Sequence, residues 1–187
     1  MYVSIDIETT GLDPEQDQVL EFAAVLQSKG NVLDCPYFQK KIWYTRLGGS
    51  PFALNMNQRI LEEMITVTPP FGPESDWCLP NDLGKLFRAW LDSQEPWSGT
   101  LFPVGKNYAS FDRVFLYKMK GWPKELFAHR TLDVGSLYAD TLGIRSQKEL
   151  VETYGPFNIP GDEHEALYDA RVSLELALLK LLHNEKR

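Results

Sequence analysis

The sequence predicts an α/β fold: a mixed β-sheet of about five strands that opens as an antiparallel meander and is flanked by α-helices. Three observations carry this. The first 44 residues are apolar runs separated by turn clusters, and the remainder alternates short apolar stretches with helical spacing. A hydrophobic content of 43% over 187 residues suits a single domain, 1–187, with its own core.

In the first strand Val3, Ile5 and Ile7 alternate with Ser4, Asp6 and Glu8, which sends both carboxylates to one face. Gly11-Leu12-Asp13-Pro14 is a turn, and 19–27 is a second strand rich in β-branched and aromatic residues. Ser28-Lys29-Gly30-Asn31 turns the chain into a third strand over 32–44, interrupted near Pro36. Residues 45–53, with Gly48, Gly49 and Pro51, read as a loop, and Met56, Ile60, Leu61 and Met64 predict a helix over 55–64. Residues 66–80 hold four prolines and read as an irregular connection packed down by Phe71 and Trp77. Asn81 or Asp82 caps a helix to about 93, with Leu83, Leu86, Phe87, Trp90 and Leu91 on its buried stripe. There follow a short strand at 101–104, a helix over 110–120, a strand at 129–132, helices at 135–142 and 147–153, and a last helix ending at 183.

Composition narrows the function. No run of about 18 apolar residues marks a membrane span, and the chain enters a strand without the basic and apolar regions of an export signal. Cys35 and Cys78 lack C-x-x-C spacing and read as reduced thiols, so a cytoplasmic protein is expected. The formal net charge of −7 argues against holding long duplex nucleic acid by phosphate neutralisation alone.

Three stretches carry chemistry. Asp6 and Glu8 repel on one strand face unless a cation sits between them, and oxygen ligands favour magnesium or manganese over zinc. A solvent-facing edge strand is the plainer alternative. In Gly105-Lys106-Asn107-Tyr108-Ala109-Ser110-Phe111-Asp112, Asn107 and Asp112 flank a helix start, where acids are also favoured by the helix dipole alone. Gly99 and Gly105-Lys106 imitate a phosphate loop, but five residues separate the glycines and Asn107 replaces the required Ser or Thr. At 161–170, His164 and Asp169 lie about 140° apart on an ideal helix, so they share a site only if His164 precedes the helix, as Pro160-Gly161 allows. Tyr168 stands where a zinc-protease motif needs its second histidine, and His129 and His183 have structural explanations.

D-I-E-T-T-G at 6–11, N-Y-A-S-F-D at 107–112 and H-E-A-L-Y-D at 164–169 resemble, in order and across nearly the whole chain, the three motifs of the DEDDh exonuclease family. The resemblance implies a ribonuclease H-like fold and a 3'–5' exonuclease that releases nucleoside 5'-monophosphates from single-stranded RNA or DNA 3' ends. It implies two divalent ions, Mg2+ or Mn2+, held by Asp6, Glu8, Asp112 and Asp169, with His164 as general base. Asp6 is the best candidate to bridge both ions, Glu8 and Asp169 to complete the nucleophile-side site, and Asp112 to hold the second ion. Thr9, Thr10, Gly11 and Leu12 match residues that cradle the 3'-terminal nucleotide. Asn55 and Met56 are placed to meet its base, although Met56 suits the core equally. The Asn107 amide serves a substrate phosphate or, preferably, its own helix backbone. Relatives without appended domains are often homodimers. Thr9 replaces the Met usual in oligoribonuclease-like proteins, and 45–53 and 66–80 match nothing in them. A non-catalytic end-binding module and an endonuclease on the same fold remain; the five matching positions oppose the first and the acidic charge opposes the second.

Overall fold

The computed structural model describes residues 1–28, 30–94, 99–139, 146–155 and 157–184, with side chains to 181. Lys29 of the expected turn, residues 140–142 of the expected helix and the His183 side chain lie outside this description. Six strands, β1 (Tyr2–Thr9), β2 (Val19–Leu26), β3 (Tyr37–Ile42), β4 (Trp77–Cys78), β5 (Phe102–Gly105) and β6 (Leu132–Asp133), form one sheet in the order β4-β3-β2-β1-β5-β6. β1, β2 and β3 pair antiparallel, and β4, β5 and β6 add in parallel. The helices are α1 (Pro51–Met56), α2 (Gln58–Met64), α3 (Leu83–Asp92), α4 (Asp112–Leu116), α5 (Val134–Leu137), α6 (Gln147–Tyr154) and α7 (Ala166–Asn184).

Strand alternation sorts the core into two layers. Val3, Ile5, Ile7 and Phe22 enter a layer with Phe38, Phe87, Trp122 and Phe127. Phe22 meets Phe38, Phe87 and Trp122 edge-on at 5.2–5.9 Å, an arrangement that adds specificity to burial. Ala23 and Val25 point the other way and pack against Ala166, Ala170 and Leu174 of α7, whose small residues let the helix approach closely. Ser4, Asp6 and Glu8, out of phase with Val3, Ile5 and Ile7, therefore face the α7 side. The central strand delivers its acids beneath the start of the longest helix.

Several expected boundaries change. Asn31, whose side chain accepts the Leu33 N–H, turns Val32–Asp34 into a 3-10 helix, so the third strand begins only after Pro36. Ser50 caps α1 by accepting the Ala53 N–H, with Pro51 in the first turn, so helix starts within the expected loop at 45–53. The expected helix at 55–64 is two helices broken at Asn57, whose φ of −95° and ψ of 19° leave the helical region. Within the proline-rich connection, Trp77–Cys78 extends the sheet to six strands among the described residues. This edge is held by Lys40, whose amine donates to the carbonyls of Pro73 and Ser75. The helix expected over 110–120 shortens to α4, and the strand expected at 129–132 sits at Leu132–Asp133. Among the described residues, no helix is long and apolar enough to cross a membrane.

Candidate active site

A pocket of about 490 Å³ opens at the ends of β1 and β5 and is lined by Asp6, Glu8, Asp112, His164 and Asp169. A register shift between Glu8 and Thr9 ends the regular pairing of β1 with β2 there. The Gly105 backbone packs against β1 so closely that a Cβ would stand 2.9 Å from the Ile5 carbonyl oxygen. Asn107, at φ 61°, then turns the chain into α4 and its buried Asp112. The Asn107 N–H donates to Asp133 Oδ2 at 2.6 Å, while Asp133 Oδ1 accepts the Ser136 N–H at 2.7 Å, so one carboxylate ties this turn to the cap of α5.

His164 lies two residues before α7 with φ 66°. Its N–H donates to Asp169 Oδ2 at 3.0 Å, so a backbone turn joins the residues that an ideal helix would separate. Ligand atoms of Glu8, His164 and Asp169 fall within 4.8 Å of one another.

Burial and mutual repulsion dominate the electrostatics. Burial, then Asp112, Asp169, Glu8 and Glu21, hold the Asp6 carboxyl well above the usual carboxylate range. Burial followed by Asp169 and Glu21 pushes Glu8 up to about 8, against a lowering from Asn57. Burial takes Asp112 to about 7 against hydrogen bonds from backbone N–H groups. Asp169 rises to about 6 through burial, opposed by the His164 N–H and imidazole. These acids ionise together only when cations compensate them, and a set of carboxylate oxygens fits hard divalent ions. The carboxylates around Glu8 and Asp169 therefore fit a divalent-metal site.

No family model matches the chain. Over 186 residues it is 29% identical to an oligoribonuclease of Marinobacter nauticus, an alignment spanning 91% of this chain and 88% of that relative. It is similar to the structure of exonuclease X in complex with 5' overhanging duplex DNA, at 26% identity and TM-score 0.58, over 99% of this chain and 92% of that one. It also superposes on the nuclease domain of 3'hExo, a DEDDh family member bound to rAMP, at 17% identity and TM-score 0.63, over 97% and 92% of the two chains. These relatives and structural neighbours, together with the three motifs, support a 3'–5' exonuclease of the DEDDh type. Its sheet and covering helices have the ribonuclease H-like arrangement.

Thr9, Gly11, Leu12, Met56 and Asn107 share the pocket with the acids and His164. Thr10 and Asn55 do not line it. Thr10 is fully buried, its Oγ1 accepting the Gln18 N–H at 2.9 Å and its carbonyl the Ser50 N–H at 2.8 Å. Asn55 is exposed on α1. Met56 is 36% exposed, so it belongs to the pocket rim and not to the core. The Asn107 carbonyl accepts the Ser110 and Phe111 N–H groups at 3.0 and 2.9 Å, so it is the main chain that serves the turn into α4.

The sequence reading missed Phe52, Asn57, Lys106 and Phe111 at the pocket and Glu21 behind it. Phe52 precedes Met56 by one helical turn, a pairing visible once Ser50-Pro51 is read as a helix start. Asn57 is buried where α1 meets α2, and its Nδ2 donates to the carbonyls of Thr9 and Ala53 at 3.2 and 3.1 Å. That role depends on a contact 48 residues away in sequence and has no local signal.

Proposed function

We propose that residues 1–187 form one exonuclease domain that removes nucleoside 5'-monophosphates from the 3' ends of single-stranded nucleic acid by two-metal-ion hydrolysis. The observation that carries this is the convergence of Asp6, Glu8, Asp112, Asp169 and His164 on one open pocket, with the acids held above their ordinary pKa values. Two divalent ions, Mg2+ or Mn2+, held by Asp6, Glu8, Asp112 and Asp169, would supply charge neutralisation at the phosphate and activation of water. His164 is exposed at the pocket, where its imidazole is placed to accept the proton of the attacking water.

The pocket volume of about 490 Å³ suits a terminal nucleotide and not a duplex. Exposed Leu12, Phe52 and Met56 give the terminal base an apolar surface, and Thr9 and Gly11 line the pocket beside the acids. Among the described residues, Lys106 is the single lysine or arginine lining the pocket, available to meet a substrate phosphate. A cytoplasmic setting accords with two buried free cysteines. No described surface supports the homodimer that the resemblance implies.

Matched 5'-labelled RNA and DNA oligonucleotides, incubated with Mg2+ or Mn2+ and separated on a gel, test the proposal. A metal-dependent ladder shortening from the 3' end and lost in Asp6→Ala is expected, and the faster substrate identifies the sugar. Intact substrate with either metal would instead favour an end-binding module.

A further inference from the structure

Asp169 depends on a second helix for its orientation. Its Oδ2 accepts the His164 N–H within its own turn, while Oδ1 and the main-chain carbonyl both accept from Gln147 Nε2, at 3.0 and 3.1 Å. Gln147 is the first residue of α6, and its Oε1 accepts from Ser173 Oγ at 3.4 Å, one turn further along α7. The amide thus spans a turn of α7, using both its donor and acceptor ends. The helix that carries it is fixed by other means. Ser146 and Glu149 form a reciprocal capping box, and Leu150 is fully buried in a cluster with Val172 and Leu176.

We propose that Gln147 is a positioning residue for the metal site, holding Asp169 in the rotamer that completes the ligand set with Glu8. The inference rests on the exonuclease reading. A neutral amide suits this task better than a lysine or arginine. It donates to Oδ1 without cancelling the negative charge that a cation needs, and each carboxylate oxygen keeps a lone pair for a ligand bond. Without the amide, the orientation of Asp169 rests on the His164 N–H alone, and ordering the side chain opposes metal binding.

The test titrates Mn2+ calorimetrically into substrate-free wild type, Gln147→Met and Gln147→Leu, and measures melting in chelator and cleavage kinetics across Mn2+ concentrations. Loss of a second-shell donor is expected to weaken Mn2+ binding by about 10- to 100-fold in both variants. Turnover at low Mn2+ falls in step and recovers as Mn2+ is raised, KM for the oligonucleotide is retained, and metal-free melting stays as in wild type. Unchanged Mn2+ affinity overturns the proposal. A loss of affinity matched by a lower metal-free melting temperature assigns Gln147 to folding and overturns it equally. If wild type itself binds no Mn2+, the exonuclease reading fails first, an outcome distinct from failure of the Gln147 role alone.

Discussion

Glu8 shows how a single residue couples chemistry to stability. Its carboxyl, raised from 4.5 to about 8, keeps its proton in the folded metal-free protein over a range where the unfolded chain has released it. The native state therefore binds more protons across that window, and stability must fall as pH rises from about 4.5 toward 8. Asp112 and Asp169 add to the same trend up to about 7 and 6. In chelator, the melting temperature is expected to decline from pH 5 to pH 8, on the order of 5 °C, with divalent metal restoring it most at the alkaline end. Glu8→Gln flattens the decline; a curve for that variant as steep as wild type would remove Glu8 from the explanation. His164 separates differently, because its hydrogen bond to Asp169 comes from the main chain and survives substitution. His164→Ala is expected to lower kcat by about 10²- to 10⁴-fold while calorimetric Mn2+ affinity is retained. His164→Asn, which tolerates positive φ better than alanine, checks that backbone strain is not the cause.

Among the elements, β2 and α7 meet through a charge that the core would ordinarily exclude. Glu21 is fully buried, directly opposite Glu8 on the neighbouring strand. Gln39 Nε2 donates to its Oε1 at 2.9 Å, the Ala166 N–H donates to its Oε2 at 3.3 Å, and Arg59 stands 3.7 Å away. Glu21→Ala leaves the buried first turn of α7 without an acceptor. A loss of about 1–3 kcal/mol in urea unfolding is expected, together with slower turnover as the His164 turn loosens. Stability equal to wild type would mean that water replaces the carboxylate without loss. A glutamate inside Val19–Leu26 was visible in the sequence, but its partner 145 residues away was not. β1 and β2 were legible because alternation and apolar runs report burial directly, and the His164 turn was legible because helical spacing forbade any other way of joining it to Asp169. β4 was not legible, since a strand of two residues has no period and its pairing depends on β3 and on Lys40 gripping remote carbonyls. The break at Asn57 escaped for a related reason: apolar spacing from Met56 through Ile60 to Met64 continues across it, while the bond that fixes Asn57 is to Thr9.

At the scale of the whole molecule, a formal charge of −7 surrounds the pocket proposed to take the end of a polyanion. On the proposed function the long-range field would repel substrate, so affinity would come from short-range contacts with the last few nucleotides, with divalent cations and Lys106 toward the phosphate and Leu12, Phe52 and Met56 toward the terminal base. Each phosphate neutralised on a single strand contributes about −0.7 to the slope of log affinity against log salt, so one or two such contacts give a slope on the order of −1. Lys106→Met should make it shallower by about 0.7 without altering Mn2+ affinity. The measurement is kcat/KM at saturating Mn2+ across monovalent salt, with short and long oligonucleotides of the same 3' sequence. Both lengths are expected to fall on nearly the same shallow line. A slope of about −4 or steeper for the longer one would reveal an extended basic track and defeat the account of a terminal grip on an acidic molecule.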